Sequence, residues 1–224
     1  MTNKIAAAGC LFWLACLAAA AADIPARPNE KILSEVRVYH WGTRGWTVGQ
    51  KIKMITESHD ELGRPVLVEF NDGENQPLER TEITYTKTGA EKTVFDPAGR
   101  PIRRSAVKRS GSTETETVRD AAGAVLFLYR RTLGPGGRLK QSTRLTPAGN
   151  SLFVSTYAYD GEGRLESVTV ANPDGSPAVI ISYRYLEFDK AGRWRTRAEY
   201  FSYADVASRP HEIVTRSRAV ADKE

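Results

Sequence analysis

The amino-acid sequence predicts an all-β fold. The expected form is an antiparallel up-and-down meander of about 10 to 13 strands, curved or rolled, with a partly closed β-barrel as the alternative. Three observations predict it. A glycine-bearing turn recurs along most of the chain. The segments between turns alternate apolar and polar residues with period two. No segment after the N-terminal apolar run carries an apolar stripe at helical spacing.

The turns come first. Their fullest copies are His59-Asp60-Glu61-Leu62-Gly63-Arg64-Pro65, Phe95-Asp96-Pro97-Ala98-Gly99-Arg100-Pro101, Tyr159-Asp160-Gly161-Glu162-Gly163-Arg164-Leu165 and Phe188-Asp189-Lys190-Ala191-Gly192-Arg193-Trp194. Counting weaker copies, the last glycine of each turn falls at 63, 73, 89, 99, 111, 123, 137, 149, 163, 175 and 192. Asp closes such a turn by accepting backbone N–H bonds from residues just ahead of it, and Gly takes the positive φ of a tight reversal. What is left between turns is about 8 to 10 residues, a strand of about 25 to 33 Å.

The strands come next. Val179, Ile181, Tyr183 and Tyr185 alternate with Ile180, Ser182 and Arg184. Val125, Phe127 and Tyr129 alternate with Leu126, Leu128 and Arg130. Thr81–Tyr85 and Ser167–Val170 are rich in the β-branched and aromatic residues that suit a pleated sheet. A last strand is expected at Ile213–Val220, after a loop at 204–212.

Around this domain the ends read differently. Residues 1–22 read as an export signal: Lys4, an apolar run from Ile5, and Ala20-Ala21-Ala22 ahead of Asp23. Cleavage there leaves a flexible lead-in at 23–30, the β domain at 31–220 and a polar tail at 221–224. Both cysteines, Cys10 and Cys16, fall inside the signal, so the mature chain has no disulfide, thiolate nucleophile or cysteine metal ligand. Lipid attachment at Cys16 is the alternative, which would make a membrane-tethered lipoprotein, although Trp13 stands where such signals carry an aliphatic residue.

The whole chain of 224 residues has 32 basic and 27 acidic side chains, a net charge of +5. That balance implies no nucleic-acid partner. The charges at 101–119 leave no continuous apolar band for lipid, so no transmembrane span is expected in the mature chain.

Tyr157-Ala158-Tyr159-Asp160, two residues, then Gly163-Arg164-Leu165 resembles the motif of the YD-repeat, or RHS-repeat, family: an aromatic, any residue, an aromatic, Asp, two variable residues, Gly, Arg or Asn, and an apolar residue. Phe95-Asp96…Gly99-Arg100 and Phe188-Asp189…Gly192-Arg193 are similar, and the likeness extends in degenerate form over about residues 55–200. The stretch through Trp194 to Thr215-Arg216 resembles the ending of small exported bacterial proteins with such repeats, with Arg193 where Asn is usual. The resemblance implies a long β-sheet. It does not carry over the closed toxin-enclosing shell of the large family members, for which this chain is too short.

Candidate chemistry is sparse. His40, His59 and His211 stand at no metal-binding spacing, and no nucleotide-loop, nucleophile-elbow or zinc-protease motif is present; no cofactor or metal is expected. Glu114 and Glu116 share a strand face but have no apolar neighbours to raise a pKa, and are expected on a solvated strand beside the basic strand of Arg103, Arg104, Lys108 and Arg109. Two features suit binding. Arg193, Arg195 and Arg197 are expected on one basic face, with Trp194 on the other. Trp41 and Trp46 flank Gly42–Gly45 as a possible sugar-stacking platform.

These features point to an exported, non-enzymatic binding or scaffold protein of the periplasm or exterior, presenting a sheet face or edge to a protein or glycan. The alternatives are an envelope carbohydrate hydrolase, which needs two convergent carboxylates in a cleft, and an accessory of an RHS-type toxin-delivery system.

Overall fold

A computed structural model describes residues 28–42, 45–46, 50–203 and 212–220, with side chains described for 28–37 and 50–203. The strands are β1 (Lys31–Gly42), β2 (Gly45–Trp46), β3 (Gln50–His59), β4 (Pro65–Asp72), β5 (Pro77–Thr86), β6 (Gly89–Phe95), β7 (Pro101–Ser110) and β8 (Thr113–Asp120). They continue with β9 (Val125–Leu133), β10 (Leu139–Leu145), β11 (Ser151–Tyr159), β12 (Leu165–Ala171), β13 (Pro177–Phe188), β14 (Trp194–Tyr203) and β15 (Glu212–Val220). Among the described residues there is no α-helix, only a 3-10 turn at Pro135–Gly137.

The strands form one antiparallel up-and-down sheet, as the turn rhythm predicts. Eleven glycine-marked turns delimit twelve strands, β3 to β14, and β1 and β15 lie outside that rhythm. Fourteen long strands result, in line with the expectation of about 10 to 13, plus the two-residue β2. The sheet is rolled. β1 pairs with β3 on one side and with β15 on the other, from Ile32 opposite Val220 to His40 opposite Glu212. A side-chain bond ties the same seam: Arg193 Nη1, in the β13–β14 turn, donates to Glu30 Oε1 at 2.7 Å across 163 residues of sequence. The end of the lead-in is packed, because Asn29 N–H donates to Asp60 O and Glu30 is buried.

The turn chemistry explains the recurrence. In Asp60/Arg64, Asp160/Arg164 and Asp189/Arg193, Asp Oδ1 accepts the backbone N–H of the second and fourth residues ahead, and Oδ2 accepts the Arg Nε. Asp96 and Arg100 repeat the last two bonds. The Arg64 guanidinium holds the Asp60 carboxyl below its usual range, and the Arg100 amide does so for Asp96. Gly163 sits at φ 80°, where a Cβ is strained. Two of the expected turn glycines play another part. In the 72–76 turn the left-handed residue is Asn75, at φ 65°, rather than Gly73. Gly89 has no positive φ; a Cβ there would lie 1.8 Å from Val107 O, so the close approach of β7 requires glycine.

A second repeat links strands. Tyr85, Tyr159 and Tyr185 each donate Oη–H to the carbonyl 20 residues back, on Pro65, Leu139 and Leu165, at 3.1, 2.9 and 3.0 Å. The Arg before that carbonyl lies over the same ring: Arg64 at 4.1 Å, Arg138 at 5.7 Å and Arg164 at 5.4 Å from the ring centroid. The tyrosine of one hairpin thus locks the turn of the preceding one.

The inward faces carry two apolar clusters. One holds Leu139, Tyr157, Leu165, Val168, Val170, Val179, Ile181 and Tyr183, and the other Val36, Ile55, Val68 and Phe70. Phe201 packs against both.

Candidate functional site

Residues directly opposite across a pair of strands share a face. Following the registers from β4 to β9 places Val68, Thr81, Val94, Arg103 and Asp120 on one face, with Ile83, Lys92, Ser105, Glu116, Tyr129 and Arg131 beside them. This is the inward face. The outward face of the same strands carries Arg80, Glu82, Glu91, Lys108, Arg119 and Arg130, all exposed. A lipid-facing wall is the reverse arrangement, since each Lys or Arg at mid-bilayer costs about 2 to 4 kcal/mol.

Where β10–β13 fill the interior with apolar side chains, β5–β9 leave it open. A cavity of about 870 Å³ lies against their inner face, with Phe70, Tyr85, Phe127, Tyr129 and Leu139 among its walls. That volume lies in the range of small-molecule sites.

Glu116 sits at the centre of the polar wall and is 5% exposed. Its Oε1 accepts Ser105 Oγ at 2.7 Å and Lys92 Nζ at 3.2 Å, and its Oε2 accepts Arg131 Nη2. Burial pushes its pKa up, but the Lys92 and Arg131 charges and the hydrogen bonds outweigh it and lower the pKa to about 2. Glu116 is therefore a permanent counter-ion, bound to two cations at once. Glu79 pairs with Arg103 Nη2 at 2.8 Å, while Arg103 Nε is buried without a hydrogen-bond partner. Burial raises the Tyr129 pKa, so this wall also offers a protonated phenol.

The cavity reaches one end of the roll, where the turn residues Lys87, Thr88, Gly111 and Gly137 line it. Stretches 86–89, 109–112 and 134–140 at this end contain Lys87, Arg109, Arg138 and Lys140 and no Asp or Glu. Arg109 Nε donates to Gly111 O at 3.4 Å; among the described residues neither Lys87 nor Arg109 forms an ion pair. The 60–64, 160–164 and 189–193 turns, at the same end of the meander, carry Asp60, Glu61, Asp160, Glu162 and Asp189, so the basic character is local to the cavity mouth.

The sequence-expected site residues are scattered. Arg193, Arg195 and Arg197 do not form one face. The β13–β14 pairing slips at Tyr185/Glu187 and again at Glu187/Phe188, which breaks period-two counting. Arg197 is turned in beside Trp194. It is 0% exposed, lies 4.7 Å from the Trp194 ring and 4.8 Å from the Tyr183 ring, and bonds Glu199. Arg195 is exposed, and Arg193 is held by Asp189 and Glu30. Trp41 and Trp46 are register partners, but their side chains lie outside the described residues, as do those of His40 and His211 and the whole of segment 1–22. His59 is buried with Nδ1 3.0 Å from Glu30 O.

Glu114 and Glu116 point into the roll, rather than to solvent as expected. Arg109 does lie opposite Glu114. The cavity itself went unseen in the sequence. The available signal was a set of inward positions at hairpin spacing, Lys92, Ser105, Glu116 and Arg131, which only the register brings together.

No family model matches the chain, and no curated protein matches it. Among solved structures it is similar to a porin-like protein from Bacteroides uniformis, at 13% identity and a TM-score of 0.52, over 88% of this chain and 99% of that one. It is also similar to a LolA superfamily protein from Nitrosomonas europaea, covering 90% of this chain and 88% of that one. A DUF1329 family protein from Desulfovibrio piger covers 85% and 84% in the same order. Both are 9% identical with TM-scores of 0.31. The first likeness bears on the fold alone, and the other two are too distant to carry an argument. What fold and site define is an antiparallel, rolled β-sheet protein with a basic-mouthed internal cavity.

Proposed function

We propose that this chain is an exported, non-enzymatic binding protein of YD-repeat type, from the bacterial envelope or exterior, that holds a small molecule inside its rolled sheet. The observation that carries the reading is the 870 Å³ cavity against the inner face of β5–β9, walled by aromatic rings and ion-paired polar groups. Export rests on the signal-like residues 1–22, and the YD-repeat assignment on the Asp-x-x-Gly-Arg turns. Docking of a partner strand at a sheet edge has less support, because β1 and β15 pair with each other.

The hydrolase alternative also has less support. A glycosidase acid needs a raised pKa, and Glu116 is held near 2.

The test uses the neutral fluorescent probe N-phenyl-1-naphthylamine. Wild type is expected to bind it saturably at one site, and Val107→Trp, which fills the cavity, to lose that binding while keeping the wild-type far-UV spectrum. Non-saturable binding, or binding unchanged in Val107→Trp, overturns the reading.

A further inference from the structure

We infer that the ligand is an anionic amphiphile: one phosphate, sulfate or carboxylate group held at the Lys87–Arg109 mouth, with an apolar body lying inward over the aromatic wall. The inference deepens the proposed cavity function and rests on it.

Three observations carry it. The mouth holds more cations than carboxylates: Lys87 and Arg109 line it with Glu114, which stands opposite Arg109 in the β7–β8 register. Lys87 and Arg109 both line the cavity and are exposed, with no ion pair among the described residues. A row of cations around a low-dielectric opening concentrates anions there.

Next, the lining as a whole has the same sign. Arg64, Lys87, Lys92, Arg103, Arg104, Arg109 and Arg131 stand against Glu57, Glu114 and Glu116, and adding Asp60 and Glu79, which pair with Arg64 and Arg103, still leaves two positive charges in excess. A cationic ligand would have to pass the mouth and then face that excess. A free anion without an apolar part would leave the inner wall unused.

Finally, the body has a place. Phe70, Phe127 and Tyr129 line the cavity along the strands, and Tyr85, Leu133 and Leu139 line it beside the mouth turns. Arg64 covers one side of the Tyr85 ring at 4.1 Å and Arg131 one side of the Tyr129 ring at 4.9 Å, and the Tyr85 hydroxyl is committed to Pro65 O. Apolar surface gains by leaving water along such a wall.

The experiment is calorimetric titration of the full mature chain with four probes, each below its micelle concentration where it forms micelles: decyl phosphate, decyltrimethylammonium, decanol and inorganic phosphate. Decyl phosphate is expected to bind one to one and about tenfold or more tighter than decyltrimethylammonium. Inorganic phosphate is expected to bind at least about tenfold more weakly than decyl phosphate. Lys87→Ser/Arg109→Ser changes only exposed mouth residues. It should weaken decyl phosphate about five- to tenfold and leave decanol unchanged.

Equal affinity for both decyl ions, or an unchanged decyl phosphate affinity in the double variant, overturns the inference while leaving the cavity reading intact. Inorganic phosphate binding as tightly as decyl phosphate overturns the amphiphile and leaves a simple anion site. No binding of any decyl probe overturns both the inference and the cavity reading.

Discussion

Strands β10–β13 and strands β5–β9 belong to one sheet and face one interior, yet they use it in opposite ways. The first group turns in Leu139, Tyr157, Val168, Val170, Val179 and Ile181, and these pack against one another. The second turns in Glu79, Lys92, Arg103, Glu116 and Arg131 and leaves about 870 Å³ open. The difference teaches how a rolled sheet can hold a cavity without collapsing. One half supplies the apolar burial. The other replaces packing with paired charges, Glu116 with Lys92 and Arg131 and Glu79 with Arg103, because a lone buried charge would be costly.

The largest expected effect breaks the polar half. Glu116→Gln removes one charge and leaves Lys92 and Arg131 facing each other, and should cost about 3 to 5 kcal/mol, read as a fall of about 10 °C in Tm. The pH dependence sharpens this. The Glu116 pKa is lowered from 4.5 to about 2, so its stabilisation is fully present above pH 4.5 and is lost as pH falls toward 2. That contribution is about 3 kcal/mol. Denaturant midpoints of wild type should therefore fall more steeply between pH 4.5 and 2 than those of Glu116→Gln. Parallel curves would show that Glu116 is not the counter-ion described here.

The next effect contrasts the halves directly. Ile181→Ala, at a site 1% exposed, should cost about 2 to 5 kcal/mol because its neighbours are close-packed. Val107→Ala, beside space that is already open, should cost less than about 1.5 kcal/mol. Chemical denaturation of both variants checks the pair, and equal losses would mean that the cavity side is packed as tightly as the other.

Smaller effects concern the turns that serve both halves. Gly163→Val, at φ 80°, should cost about 1 to 3 kcal/mol. An unchanged Tm would show that residue 163 does not need its left-handed conformation. Tyr185→Phe removes the bond to Leu165 O and should cost about 1 kcal/mol, as should Tyr85→Phe with Pro65 O. A loss at Tyr185 only would show that the clasp matters where the interior is packed and is idle beside the cavity.

Much of the fold was legible in the sequence. The Asp-x-x-Gly-Arg turns act within five residues, so their spacing reports strand lengths directly. The site was less legible. Glu114-x-Glu116 looks like a solvated strand because its immediate neighbours are threonines; its real neighbours, Lys92, Ser105 and Arg131, come from three other strands. Arg197 looked like part of a basic face because period-two counting assumes an unbroken ladder, and the β13–β14 pairing slips twice. Gly73 looked like the turn glycine although Asn75 takes the positive φ, a choice made by the turn's own hydrogen bonds.

By itself the sequence determined the strand-and-turn rhythm and the antiparallel meander, because a capped turn and a period-two strand are local and need only neighbouring residues to form. The tertiary structure alone decided which face turns inward, where β1 meets β15, and that one flank of the interior is packed and the other open. Those outcomes depend on register and on sheet twist summed over fourteen strands, and a slip of one residue in any pairing sends every later side chain to the opposite face.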